Sequence, residues 1–311
     1  MRFLLTNIIA VSFCLAADQY LFTSFRANGE TGVFLALSSG GRKFTPLNNN
    51  KPWIKPELPG MLMRDPWLGQ GPDGMWHMHW TWGWNKGAGD KSLKIGYAES
   101  KDLIHWSAQR EIAILPAEPT ARNAWAQEAI YDVSKHEWTI FWATTIPDRF
   151  TDTEKTGDTG YNHRMYAITT KDWKTFSEPR LFFDPGFNTI DSTIIKDGAR
   201  YIMIFKDERK NPVVKRLRLA FADSPAGPWR DVTEPFSRDW VEGPSTVKIG
   251  AEWWIYFDHY VAPRGYGAVR TKDWKNFEDV SGEVSFPADH RHGTVVRIPE
   301  NVAKKLLATT P

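Results

Sequence analysis

Ser100-Lys101-Asp102-Leu103-Ile104-His105-Trp106-Ser107 recurs as Thr170-Lys171-Asp172-Trp173-Lys174-Thr175-Phe176-Ser177, and again as Thr271-Lys272-Asp273-Trp274-Lys275-Asn276-Phe277-Glu278. Degenerate copies lie at residues 39–44 and 222–229. Each copy follows a short β-like run, at residues 33–37, 93–98, 164–168, 217–221 and 266–269. The five copies therefore read as a strand, a tight polar turn and an aromatic that re-enters a core. Self-similarity at such spacing is the mark of a repeat architecture.

Upstream of four copies a second pattern appears: a short strand, a Gly- or Lys-rich turn, and an aromatic strand. The pairs are 65–68 with 75–82, 128–132 with 138–145, 191–195 with 201–206, and 244–249 with 253–258. Four strands per unit and five units is the grammar of an all-β, five-bladed β-propeller with antiparallel four-stranded blades. The first unit lacks an opening strand, and residues 292–298 can supply it from the other end of the chain. That would close the ring in the first blade and leave no open sheet edge. Only residues 302–307 carry a helical pattern.

The first residues read as an address. Met1-Arg2 is a basic start, residues 3–15 are apolar, and Ala16-Ala17 supply the small residues of a cleavage site before Asp18. This predicts a signal peptide over 1–17, an exported protein (periplasmic or extracellular), and one propeller domain over 18–311. Phe13 is bulky where a lipoprotein signal would want a small residue before Cys14. Cys14 is the single cysteine, so neither a disulfide framework nor a Cys-based zinc site is expected. Lys and Arg number 39 against 37 Asp and Glu, for a net charge of +2, which gives no footprint for nucleic acid or an anionic membrane. No membrane span is expected, and a monomer is. Tryptophan is abundant at 16, which suits either β cores or platforms for sugar rings.

Aligning the heads of the innermost strands brings Asp65, Glu128, Asp191, Glu242 and His292 to one mouth of the central channel. A lone strand-initial acid is usually a solvated turn residue. Four in successive blades point to a site, because crowded like charges are costly unless some are protonated or bind something. Asp191 and Glu242 lie on neighbouring blades, so Asp191 is expected to raise the Glu242 pKa and keep it protonated. Asp65 and Glu242 are a blade further apart, as suits an inverting glycosidase, in which a water fits between acid and base. Second strands return to the same mouth and nominate Trp80, Trp82, Trp84, Thr144, Lys206, Glu208, Asp258 and Tyr260 as pocket wall. Strand alternation implies that one of the three tryptophans is core. His77 and His79 share a strand face, where packing is a better reading than metal binding.

Arg64-Asp65-Pro66, Ala124-Trp125-Ala126-Gln127-Glu128, Ile190-Asp191-Ser192, Glu242-Gly243-Pro244 and Arg291-His292-Gly293 together resemble glycoside hydrolase family 43, whose five-bladed propellers act on arabinose- and xylose-containing plant glycans. The resemblance spans nearly the whole chain beyond the leader. It implies Asp65 as general base, Asp191 as the residue that modulates pKa and orients, and Glu242 as general acid. It implies substrate contacts at Arg64, Trp125, Glu128, Arg291 and His292. His292 falls where several members hold a hydrated calcium or another ion in the channel; no cofactor is otherwise implied. The family commonly has Ala-Pro-Glu or Ala-Pro-Asp where this chain has Ala126-Gln127-Glu128, which leaves the backbone there open.

The expected function is a secreted, exo-acting α-L-arabinofuranosidase acting on an oligo- or polysaccharide. β-D-Xylosidase and β-D-galactofuranosidase activities are the alternatives on the same fold. Two other classes stay in view: a non-catalytic carbohydrate-binding propeller and a protein-interaction propeller.

Overall fold

The computed structural model describes residues 18–84, 93–158 and 160–309; the leader assigned to 1–17 lies outside them. They form five antiparallel sheets set around a channel. Blade 1 runs Val295–Ile298, Gln19–Arg26, Phe34–Ser39 and Thr45–Pro46. Blade 2 runs Arg64–Gln70, Trp76–Thr81, Lys94–Ser100 and Arg110–Ala113, and blade 3 Trp125–Asp132, Glu137–Thr144, Arg164–Thr170 and Arg180–Phe183. Blade 5 runs Val241–Ile249, Glu252–His259, Gly265–Thr271 and Glu278–Asp279. Blade 4 has three full strands, Thr189–Asp197, Arg200–Asp207 and Arg216–Ala222, and its fourth is reduced to a bridge between Phe221 and Arg230. The C-terminal strand closes the ring as expected, pairing Phe22 with Val295 and Tyr20 with Arg297. A helix, Glu300–Ala308, packs Leu306 into the seam of blades 1 and 2. Among the described residues no helix is long and apolar enough to cross a membrane.

Each blade is apolar on both faces because it is sandwiched between two others. The core accordingly falls into five clusters, one in each seam between neighbouring blades. Strand alternation sorts side chains between seams. Leu21 faces blade 2 while Tyr20 and Phe22 face blade 5. Trp76, Met78 and Trp80 likewise face blade 1, whereas His77 and His79 turn to blade 3 and stack on Trp173 and Trp67, with centroids 4.7 and 4.5 Å apart. The packing reading of the two histidines is the one observed.

The repeated turn has a definite mechanism. Asp102 Oδ1 accepts the backbone N–H groups of Ile104 and His105 at 2.9 and 2.8 Å; Asp172 and Asp273 do the same two and three residues on. The Ser100, Thr170 and Thr271 hydroxyls accept the next amide, that of Leu103, Trp173 and Trp274. Those three adopt positive φ (65°, 57° and 61°) and are buried. The residue driven into the core is thus the one directly after the Asp. Trp106, Phe176 and Phe277, where the sequence pattern puts the re-entering aromatic, are only half-buried.

Candidate active site

The inner strands do not run straight into the channel mouth. In blades 2 to 5 the pairing register slips at the head of the inner strand: after Arg64, Trp125, Ile190 and Glu242. One residue in each bulge has left-handed backbone: Asp65 (φ 49°), Ala126 (50°), Asp191 (50°) and Gly243 (56°). In blade 1 the break falls at residues 292–294, between His290–Arg291 and Val295–Ile298, which both pair with Gln19–Arg26. A bulge re-aims a side chain and ends regular pairing, which is what a mouth of inward-pointing groups requires.

This corrects the alignment of acids. The structurally equivalent positions are Asp65, Ala126, Asp191 and Gly243. Glu242 stands one residue before its bulge, and Glu128 two residues past Ala126, where it pairs in the ladder with Phe141 and is buried below the mouth. The bulge gives the carboxylates different depths and directions, which linear spacing cannot register.

A cavity of about 150 Å³ at the mouth is lined by Asp65, Asp191, Glu242, His292, Lys206 and Glu208, with Arg64, Trp84 and Trp125 at its wall. His292 Nδ1 lies 3.4 Å from Asp65 and 3.8 Å from Asp191. The Gly243 amide donates to Asp191 Oδ2 at 3.1 Å, tying blade 5 to blade 4. A Cβ at 243 would sit 2.5 Å from the His292 ring, so only glycine leaves that ring in place.

Glu242 is held on both oxygens. Lys206 Nζ is 3.2 Å from Oε2, and Arg291 Nη2 is 2.8 Å from Oε1. Lys206 is buried, shared with Glu208 at 2.7 Å, and lies 4.3 Å from the centre of the Tyr260 ring. Glu208 is bonded in turn by buried Lys215, a partner that sequence reasoning missed and for which the sequence carries no local signal. Arg291 reaches Asp258 at 3.4 Å, and Asp258 also accepts the His292 amide at 3.3 Å. An unbroken line of alternating charge therefore runs Lys215, Glu208, Lys206, Glu242, Arg291, Asp258.

The tryptophan assignments need correction. Trp80 has no exposed surface, and its indole covers Gly96 on the next strand, where a Cβ would be 2.1 Å away. Trp82 lies two residues on, on the same face, nearly as buried, in the seam of blades 1 and 2. Neither lines the pocket. Trp84 does: the strand has ended at Thr81, alternation no longer applies, and Arg64 lies between its ring and that of Phe25, 5.0 and 4.7 Å from their centres. Thr144 is buried and donates to the Asn123 carbonyl instead of facing the cavity. Asp258 lines a larger cavity next to this one.

A family profile described as "Probable glycosyl hydrolase domain", of the group related to glycoside hydrolase family 43, matches residues 16–303. The chain belongs to glycoside hydrolase family 43. An α-L-arabinofuranosidase of Bifidobacterium longum subsp. longum is 31% identical, in an alignment covering 71% of this chain and 27% of that protein. The chain thus matches about a quarter of that relative's length. Among solved structures, an α-L-arabinofuranosidase of Lactobacillus brevis superposes with a TM-score of 0.52 at 18% identity, covering 70% of this chain and 72% of that one. An exo-β-1,3-galactanase of Clostridium thermocellum gives 0.58 at 13% identity, over 85% and 59%. Similarity at these identities concerns the fold.

Electrostatics reverse one expectation for this family 43 chain. Burial would raise Glu242, but Lys206, Arg291 and His292 outweigh it and bring its pKa down to about 2. Asp191 is not its dominant neighbour. Asp191 is itself raised to about 6, first by burial and then by Glu242 and Asp65. Asp258 is also raised to about 6, by burial and by Glu242. Glu128 is pushed well above the carboxylate range, chiefly by burial and further by Asp191. Lys206 stays charged: Glu208 and Glu242 more than offset the cost of burying it.

The hydrated channel ion implied by the resemblance would be held through water beside His292, whose ring lines the mouth. Among the described residues no three His, Cys, Asp or Glu side chains group to hold a metal. The His292 Nδ1 faces two carboxylates, Asp65 and Asp191, at ion-pair distance. No step below passes through an ion.

Proposed function

We propose that the chain is an exported, exo-acting α-L-arabinofuranosidase that cleaves with inversion. The observation that carries the reading is one small cavity lined by Asp65, Asp191, Glu242 and His292. Its volume suits a single sugar ring, below the size of pockets that take larger ligands, and this supports exo action. The name of the Bifidobacterium relative supports arabinofuranose.

In the proposed reaction Asp65 takes a proton from water as its oxygen attacks the anomeric carbon. The glycosidic C–O bond breaks, and Glu242 gives its proton to the departing oxygen. Solvent exchange resets both carboxyls. With cations on both oxygens, Glu242 carries no proton in the empty site. Lys206 has Glu208 as a second partner and can release Glu242 without being left unpaired. A sugar hydroxyl that draws Lys206 away lowers the opposing field, so that Glu242 can be protonated in the complex. Asp191 orients the Gly243 segment and, near its pKa of about 6, exchanges protons with the site.

Nitrophenol release from α-L-arabinofuranoside, β-D-xylopyranoside and β-D-galactofuranoside substrates tests this. Turnover of the first, reduced about 10²–10⁴-fold by Glu242→Gln and by Asp65→Asn, is expected. Proton NMR of fresh product should show the opposite anomer. Retained configuration would refute the role of Asp65, and turnover of another sugar would reassign the substrate.

A further inference from the structure

A larger cavity, of about 820 Å³, lies beside the catalytic pocket, between blades 5 and 1. Arg291, which lines the larger cavity, bonds Glu242, which lines the smaller one. A chain departing from the acid is released beside Glu242, next to this space. Tyr266 and Phe286, stacked 4.4 Å apart and seated edge-on against Phe22, give the cavity a rigid aromatic wall.

Its charge is lopsided. Arg26, Lys51, Arg264 and Arg291 line it against only Asp258 and Asp289. Arg291 is neutralised by Glu242 and Asp258, and Arg26 lies 3.9 Å from Asp289. Lys51 and Arg264 are exposed, and among the described residues neither has a carboxylate within ion-pair distance. Arg264 uses only its Nε–H, donated to the Tyr260 carbonyl at 3.1 Å, so its terminal nitrogens remain for a ligand. Two unpaired cations at the edge of a cleft with an aromatic wall complement a sugar chain that carries carboxylates.

We propose that this cleft binds the leaving part of the substrate, and that its ligand is an acidic oligosaccharide bearing uronate groups. The assignment to the leaving side rests on Glu242 as the acid; the ligand class rests on the cleft alone. Calorimetric binding of trigalacturonate and xylotriose to the full chain, at low and at moderate salt, tests it beside Lys51→Glu/Arg264→Glu. Trigalacturonate should bind at least about tenfold tighter than xylotriose, roughly the size of one charge-assisted hydrogen bond. That preference should shrink with salt and disappear in the double variant. Both side chains are exposed, so an unchanged melting temperature should accompany the loss. Equal affinity for the two sugars, or a preference that survives the double variant, overturns the proposal. Uronate preference without turnover of any nitrophenyl glycoside would sink the catalytic reading and leave the ligand class standing. Turnover without uronate preference would do the reverse.

Discussion

The seam between blades 1 and 2 and the mouth of the channel are built from the same strands, yet they obey opposite rules. In the seam, strict alternation carries Trp76, Met78 and Trp80 to one face, and apolar packing asks only for bulk and shape. At the mouth the strand heads bulge, alternation lapses, and ionised groups are arranged so that each has a counter-charge. The seams repeat five times, each with buried aromatics of its own. The mouth uses a bulge in blades 2 to 5 and fills it in turn with Asp, Ala, Asp and Gly. Regular geometry thus stores stability, and its local failure creates the site.

Paired tryptophan variants separate the two regions most sharply. Trp80→Ala should cost about 3–5 kcal/mol in denaturant unfolding, as for a fully buried indole, and leave KM of the remaining folded protein near wild type. Trp84→Ala should change stability by less than about 1 kcal/mol and raise KM several-fold. Equal effects on both measurements would erase the distinction between seam and mouth.

Gly243→Ala probes where the two regions join. Left-handed backbone at a non-glycine residue costs about 1–3 kcal/mol, and the added Cβ must also push the His292 ring. Lower melting temperature together with reduced kcat is expected. A fully active, equally stable variant would show that the bulge does not position His292.

The smallest effect expected is a displaced pH profile. A general acid must hold its proton, so activity falls as pH rises through its pKa. Lys206 is the chief cation opposing Glu242. Lys206→Met should therefore raise the Glu242 pKa and carry the alkaline limb of kcat/KM to higher pH. A limb that stays in place would break the link between the charge line and acid function, whatever the loss in rate.

Much of the site was legible because its residues stand beside strand starts, which turn signals mark. Asp65, Asp191, Glu242 and His292 meet as their positions suggested. Glu128 did not fit, because a bulge adds backbone without changing the residue spacing that was read. Trp80 and Trp82 were misassigned since a cluster of indoles looks alike whether it faces a sugar or a seam. Their common parity with Met78 was the available clue. The protonation of Glu242 is illegible in the sequence for a different reason. Lys206 and Lys215 come from blade 4, Arg291 from the strand that pairs in blade 1 and Glu242 from blade 5, and electrostatics depend on distances between them that no linear pattern contains.

The sequence by itself determined the five repeats, their turns and the closure of the ring, because these follow from local hydrogen bonding and period-two packing. Only the tertiary structure decided which carboxyl is ionised and which indole is wet. Charge and solvent exposure are properties of neighbours in space, and here those neighbours come from different blades.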